Sequence, residues 1–332
     1  KYSYRFFYTK LEQMKTFIFI PDTNDAAGLG HLYRCFKYSN FVKQNYEIIF
    51  LINKNFNKKY LAKKNKRKIK YIFFSNLESS LSLLSLKYKN IITFLDTYNS
   101  KLRNIKFKNY SNKHINILDY KAKCNSDYII DHTFTREKKF HKVNKQSKIN
   151  TGIENFPVLK KINFPKKNLI LINFGSVKNK TLILKSLYLL KKLNLGIYYK
   201  IIIFDKFFSK TNISNIKLKN KIFYYKFLTD IDRIYKKTFF AIGGCGISLY
   251  ERCFYNIPTI AKCVANNQSY NFKNFYSRGC ILDFDKIVKL NTKKTISIDN
   301  FLNNLRKTSK NTMKHFKYKI NQKHLQNLFN KF

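Results

Sequence analysis

The chain has 332 residues, enough for two ordinary domains that each bury a core, and its 44% hydrophobic and 17% aromatic content excludes a disordered chain. Lys and Arg number 66 against 18 Asp and Glu, a net charge of +48, yet the lysines are spread over nearly every polar segment among abundant Asn, Ile, Phe and Tyr, with no Trp. That dispersion points to compositional bias rather than to a nucleic-acid surface, although the charge should still draw in anionic substrates.

The six cysteines, Cys35, Cys124, Cys245, Cys253, Cys263 and Cys280, form no CxxC pair and no zinc-ribbon spacing. We expect reduced thiols, no metal and no cofactor. No apolar run approaches the roughly 18 to 20 residues that span a bilayer, and the N-terminus lacks a signal peptide's apolar stretch and cleavage site. The expectation is a cytoplasmic protein without a membrane span, and a monomer. "MKTFIFIPDTND" from Met14 looks like a more natural start, so residues 1–13 are expected to be an N-terminal extension or a poorly ordered tail.

In chain order, apolar runs fall at "TFIFI" (16–20), "EIIFLI" (47–52), "IKYIFF" (69–74), "NIITFL" (90–95), "HINIL" (114–118) and "YII" (128–130). Near-continuous Ile and Phe runs with helix-length polar stretches between them predict a parallel sheet covered on both faces. This gives a first domain over 14–155. "TGIENFPVLKKINFPKK" (151–167) holds two of the four prolines and reads as the linker. A second domain over 165–300 follows, with runs at "LILINF" (169–174), "YYKIIIF" (198–204), "KIFYYKF" (221–227), "FFAI" (239–242) and "TIAKCV" (259–264). Residues 301–332 read as an amphipathic helical tail. The fold class is therefore α/β, two Rossmann-like doubly wound domains facing a cleft, with ligands at the C-terminal ends of the strands.

The first candidate site is "DAAGLGHLYRC" (25–35). Leu32, Cys35, Phe36 and Ser39 are three and four apart, so a helix should begin near Gly30 or His31. A glycine turn there exposes backbone N–H groups and the positive end of the dipole, which suits an anion and disfavours imidazolium. His31 would then stay neutral and able to accept a proton, with Asp22 or Asp25 orienting its other nitrogen. The same residues also fit a plain strand-to-helix turn.

"LDTYN" (95–99) places Asp96 and Tyr98 at a strand end, where Asp96 is either a helix cap or a substrate contact. The second glycine turn, Gly243-Gly244-Cys245-Gly246, uses three of the nine glycines ahead of the helix "ISLYERCFYN". It suits a diphosphate, and Glu251 beyond it suits a ribose diol. Asn267 and Gln268 follow the next strand at the same sheet edge. A structural turn with a surface glutamate is the alternative.

Taken together, "AAGLGHLYRC" (26–35), "LDTYN" (95–99), "INILDYKAKCNSDYIID" (115–131), "TGIENFPVLKK" (151–161), "INFGSVKNK" (172–180), "AIGGCGISLYERCFYNIPTI" (241–260) and "ANNQ" (265–268) resemble, in order, the UDP-2,4-diacetamido-2,4,6-trideoxy-β-L-altropyranose hydrolases of pseudaminic acid biosynthesis, a family similar to GT-B glycosyltransferases such as those of peptidoglycan synthesis. The resemblance implies metal-free cleavage of a UDP-sugar at the anomeric carbon by water. It implies His31 as general base, with Gly28 and Gly30 shaping its turn, and Tyr98 and Asp96 facing the sugar. Gly243 and Gly244 would approach the diphosphate, Glu251 would hold the ribose, and Asn267 and Gln268 would meet the nucleotide sugar. The chain departs from the family at Ser176-Val177-Lys178 after Gly175 and at Cys245-Gly246. Two other functions compete: a GT-B glycosyltransferase using the same base on an acceptor hydroxyl, and a binder of nucleic acid or anionic surfaces on a degenerate enzyme scaffold.

Overall fold

The computed structural model describes residues 15–24, 29–61, 68–121, 124–141, 146–157, 167–175, 179–205, 207–208, 216–226, 231–293, 297–316 and 322–332. The 1–13 extension, Asp25, Gly28, the departure at Ser176-Val177-Lys178 and most of the second half of the linker fall outside them. Contacts divide the chain into two compact units, Lys1–Leu159 with Ile320–Phe332, and Lys160–Lys319.

The first unit carries β1 (Lys15–Pro21), α1 (Gly30–Ser39), β2 (Glu47–Asn53), β3 (Ile69–Phe74), α2 (Leu77–Lys87), β4 (Asn90–Asp96), α3 (Ser100–Arg103), β5 (Lys113–Ile117), β6 (Tyr128–Asp131) and β7 (Lys148–Thr151). The seven strands lie in the order β3-β2-β1-β4-β5-β6-β7, and every pairing is parallel. The Ile and Phe runs are continuous because both faces of the central strands are covered. Phe17, Phe19, Phe50 and Phe94 face α1 through Leu32, Cys35 and Phe36, while Ile18, Ile20 and Leu95 face α2 through Leu77 and Leu81.

The second unit repeats the plan with β8 (Leu169–Asn173), α4 (Lys180–Leu193), β9 (Lys200–Phe204), β10 (Ile222–Tyr225), α5 (Ile231–Lys237), β11 (Thr238–Gly244), α6 (Ile247–Phe254), β12 (Thr259–Lys262), α7 (Ser269–Ser277), β13 (Leu282–Asp283) and α8 (Phe284–Lys293). Its six parallel strands run β10-β9-β8-β11-β12-β13. Both sheets therefore reverse their winding between the first and fourth strands, β1/β4 and β8/β11, the switch points beside which doubly wound sheets hold ligands. The two tail helices belong to different units. In α9 (Ile298–Phe316), Phe301 and Leu305 enter the second core, whereas α10 (Gln322–Asn330) sends Leu325, Leu328 and Phe329 into the first.

The apolar runs predicted from sequence all become strands. Two strands were not predicted: β7, whose four residues KINT are only partly buried, and β13, which has two residues. Neither carries the continuous apolar run that marks a buried parallel strand.

Candidate active site

At the first switch point, β4 ends on Asp96 and α1 begins on Gly30, one residue before His31. Strand alternation sends Asp96 to the same face as Phe94, which is the face that α1 covers. His31 and Asp96 are 2% and 1% exposed, and His31 Nδ1 lies 2.6 Å from Asp96 Oδ1. One helical turn on, Arg34 grips the same carboxylate with two donors, Nε to Oδ2 at 2.7 Å and Nη2 to Oδ1 at 2.5 Å. Arg34 Nη2 also approaches His31 Nδ1 at 3.3 Å. A guanidinium has no lone pair to offer, so the short carboxylate contact fixes the tautomer: Nδ1 carries the proton and donates it to Asp96. The basic lone pair is then on Nε2.

The third guanidinium donor, Arg34 Nη1, reaches Asp119 Oδ2 at 2.9 Å and His132 Nε2 at 3.4 Å. Asp119 Oδ2 in turn accepts the Tyr98 hydroxyl at 3.1 Å. The Tyr98 ring stands edge-on to His31, with centroids 4.6 Å apart and planes at 84°, and Tyr98 keeps 36% of its surface exposed. Burial favours a neutral Asp96, but the Arg34 charge and the His31 and Arg34 hydrogen bonds outweigh it and hold the carboxyl well below its usual range. The same balance, with Arg34 as the main opposing charge, lowers Asp119. Burial first, then the Arg34 charge, pushes His132 down to about 4, so it accepts from Arg34 as a neutral ring.

The carboxylate on His31 Nδ1 is thus Asp96, and Asp22, one of the two aspartates named from the sequence, is engaged elsewhere. Asp22 instead accepts from the Thr97 hydroxyl at 2.6 Å and from the Asn24 amide at 3.2 Å; Asp25 lies outside the described residues. Asp96, expected as a cap or a sugar contact, caps no helix, the N-cap of α3 being Asn99, and its two oxygens are engaged by His31 and Arg34. Gly30 is the first helical residue, as the glycine turn requires, and Gly28 lies outside the described residues. Arg34, Asp119 and His132 were not singled out in the sequence. Arg34 could have been noticed from its i, i+3 spacing to His31.

In the second unit, Gly243 and Gly244 are not turn residues but the buried end of β11. A Cβ on Gly243 would stand 2.0 Å from the Asn173 carbonyl oxygen of β8 and 2.8 Å from Arg252 Nη1, and one on Gly244 would stand 3.0 Å from the Phe174 oxygen. Strand packing by itself demands these glycines, which were expected beside a diphosphate. Gly246 occupies the N-cap of α6 with no side-chain cap, which leaves the amides of the first turn for a partner outside the helix. Gln268 Oε1 accepts from the Cys245 and Val264 amides at 3.0 and 3.3 Å, so it braces the turn. Glu251 is half-buried and accepts the Tyr235 hydroxyl at 2.9 Å, while Asn267 is exposed. Arg252, fully buried, donates from Nη2 to the Gly244 carbonyl at 2.5 Å.

All six cysteines are free thiols, and among the described residues no three His, Cys, Asp or Glu side chains are grouped to hold a metal ion. No described helix is long and apolar enough to cross a membrane.

No protein-family model matches the chain, and no curated protein matches it in sequence. Solved structures do match its fold. The MurG of Acinetobacter baumannii aligns with a TM-score of 0.59 at 13% identity over 96% of this chain and 100% of its own. A UDP-glucose:anthocyanidin 3-O-glucosyltransferase in complex with UDP gives 0.62 at 10% identity over 97% and 100%, and the calicheamicin glycosyltransferase CalG4 gives 0.60 at 9% over 96% and 98%. The chain has the GT-B fold, built from two Rossmann-like units.

Proposed function

We propose that this protein processes a UDP-sugar, cleaving the bond between the anomeric carbon and the diphosphate with water, and that the sugar is a 2,4-diacetamido-2,4,6-trideoxy hexose of pseudaminic acid biosynthesis. The carrying observation is the His31–Asp96 pair at the switch point of the first sheet, 2.6 Å apart and buried. In this reading His31 Nε2 takes a proton from water as its oxygen bonds to the anomeric carbon, and the bonding pair of the breaking C–O bond leaves with UDP. Asp96 stabilises the imidazolium that results, without itself taking the proton. Tyr98, the most exposed member of the cluster, faces the sugar.

The second unit holds the nucleotide. The first-turn amides of α6, at Gly246, Ile247 and Ser248, face the diphosphate, where a helix N-terminus favours negative charge. Glu251 accepts from the ribose diol. Support comes from the motif order in the sequence, from the GT-B fold, and from neighbours whose structures hold or name UDP compounds. No metal is needed for a leaving group stabilised in this way.

Transfer to an acceptor hydroxyl is the second reading, and one observation favours it. A cavity of about 430 Å³ opens beside the ends of β1, β2 and β3, with Asp22, Asn53, Asn76, Glu78 and Asn99 in its wall, a size that suits a sugar-like acceptor. The test is incubation of the protein with UDP-diacetamido sugars alone. Steady UDP release with free sugar as the co-product supports hydrolysis; release only on addition of an acceptor supports transfer.

A further inference from the structure

Arg34 has no place in the proton transfer just described, yet it is among the largest fully buried side chains, at 2% exposure. A buried guanidinium is costly unless its donors are taken, and here they divide between two carboxylates. Nε and Nη2 hold Asp96, which holds His31; Nη1 holds Asp119, which holds the Tyr98 hydroxyl. The chain of contacts closes on itself, because the Tyr98 ring edge meets the His31 imidazole.

We infer that Arg34 is a positioning residue that sets the base His31 and the sugar-facing Tyr98 as one rigid unit, acting through Asp96 on one side and Asp119 on the other. The inference rests on the proposed role of His31. Four separate segments supply the parts: α1 gives His31 and Arg34, the β4 end gives Asp96 and Tyr98, the loop after β5 gives Asp119, and the loop after β6 gives His132. The loop after β4 is also tied to Asp22 and Tyr120 through Thr97, but Arg34 joins the His31 and Tyr98 side chains through their own hydrogen-bond partners, and small misplacements at a reacting centre cost rate steeply. Lysine could not substitute, since an ammonium is a point charge on a flexible stem and lacks the planar fork that reaches two carboxylates at once.

Other groups face this cluster: the Tyr98 ring also meets Tyr120 edge-on at 4.9 Å, and Arg103 Nη2 donates to the Tyr98 carbonyl at 3.5 Å. Cys35 Sγ lies 3.9 Å from Asp96 Oδ2, and burial, with Asp96 adding to it, raises that thiol, so it is an uncharged neighbour. The Tyr38 hydroxyl donates to the Asn155 carbonyl at 2.7 Å and is likewise held un-ionised by burial. Asp131, one residue before His132, is engaged by His141 at 2.8 Å and by Arg136 at 3.4 Å. Arg34 is therefore the cation shared by Asp96 and Asp119, and its loss would act on both arms together.

The experiment is ¹⁵N NMR of the His31 imidazole in the full-length protein, assigned with His31→Asn, together with turnover of the UDP-sugar. In the wild type a single tautomer protonated at Nδ1 is expected. Arg34→Lys should bring the His31 nitrogens toward the average of the two tautomers and slow kcat by roughly 30-fold, with KM changed less than about threefold. Asp119→Asn should preserve the tautomer, abolish the ring-current shift that Tyr98 imposes on His31, and slow kcat by about tenfold. If Arg34→Lys does not fold, Asp119→Asn decides the Tyr98 arm alone. Unchanged His31 tautomer and ring-current shift in the folded variants would overturn the inference, as would a loss of kcat that follows the unfolding midpoint and nothing else. The imidazole measurement needs no substrate, so a wild-type protein that releases no UDP would refute the proposed function while leaving the positioning result standing.

Discussion

Two βα turns occupy equivalent places in the two units, each beside the switch point of a doubly wound sheet, and they are built on opposite principles. At the first, side chains converge: His31, Arg34 and Asp96 are buried within hydrogen-bond distance of one another, and Asp119 extends the network to Tyr98. At the second, side chains are withdrawn. Gly243 and Gly244 admit the backbone of β8, Gly246 leaves the α6 N-terminus uncapped, and Gln268 braces the turn through the Cys245 amide. A buried, paired carboxylate and imidazole can move a proton, whereas a turn of bare amides can only hold an anion. The same topology thus carries a side-chain network at one turn and exposed backbone at the other, the contrast on which the proposed division of chemistry and binding rests.

That contrast can be broken most forcefully at His31. His31→Asn should lower turnover by about 10³-fold, within the range of a lost general base, and leave UDP affinity measured by calorimetry within about threefold. Asp96→Asn should follow with roughly 10²-fold, because the amide can present a donor to Nδ1 and release the tautomer. At the second turn the expected damage is to folding. Gly243→Ala drives a methyl into the Asn173 carbonyl and should cost about 3 kcal/mol, read as a drop of several degrees in the unfolding midpoint. Gly246→Ala, whose Cβ would meet Gln268 Nε2 at 3.4 Å, should cost under about 1 kcal/mol. Equal midpoints for the two variants would contradict the packing role of Gly243.

A pH titration sharpens the same distinction, because the buried histidines lie in the first unit. Burial pushes His114 down to about 3, and burial with the Arg34 charge pushes His132 down to about 4, against 6.5 in an unfolded chain. Between these values the unfolded chain binds protons that the folded one refuses, so stability falls as pH drops from about 6.5 toward 4. The slope limit is about 1.4 kcal/mol per pH unit for each histidine. Asp96 and Asp119 act in the same sense in a lower window, stabilising above their unfolded pKa of 3.8 and losing that contribution as pH falls below it. A midpoint that does not change from pH 7 to pH 5 would contradict this assignment. The smallest effect is expected at Glu251→Gln, which should reduce the preference for UDP over 2′-deoxy-UDP by about tenfold or less and leave stability almost unchanged.

Much of this architecture is legible in the sequence, and for one reason: strands of a parallel sheet covered on both faces must be apolar throughout, so "TFIFI" and "NIITFL" announce β1 and β4 without help from context. β7 was missed because a partly buried edge strand carries no such mark. The start of α1 at Gly30, and with it the place of His31 in the first helical turn, was visible as a glycine turn before a helical stripe. The partner of His31 was not, because Asp96 is 65 residues away and only the pairing of β1 with β4 brings it close. Nearness in sequence favoured Asp22 and Asp25; sheet order favoured Asp96. Arg34 and Asp119 were hidden for a related reason, since in a chain with 66 Lys and Arg no single cation stands out until burial separates it from the surface. At the second turn glycine enrichment suggested ligand approach, and close strand packing is a separate demand on two of the three residues that the sequence did not show.

The central claim is that His31, held by Asp96, activates water against a UDP-sugar. Its most direct measurement is UDP release from a UDP-2,4-diacetamido-2,4,6-trideoxy sugar by the wild-type protein and by His31→Asn, without acceptor, in water enriched in ¹⁸O. The account predicts steady release by the wild type, one ¹⁸O at the anomeric carbon of the free sugar and none in UDP, with release by His31→Asn lower by about 10³-fold. Undiminished release by His31→Asn, or ¹⁸O found in the UDP phosphate, would contradict it.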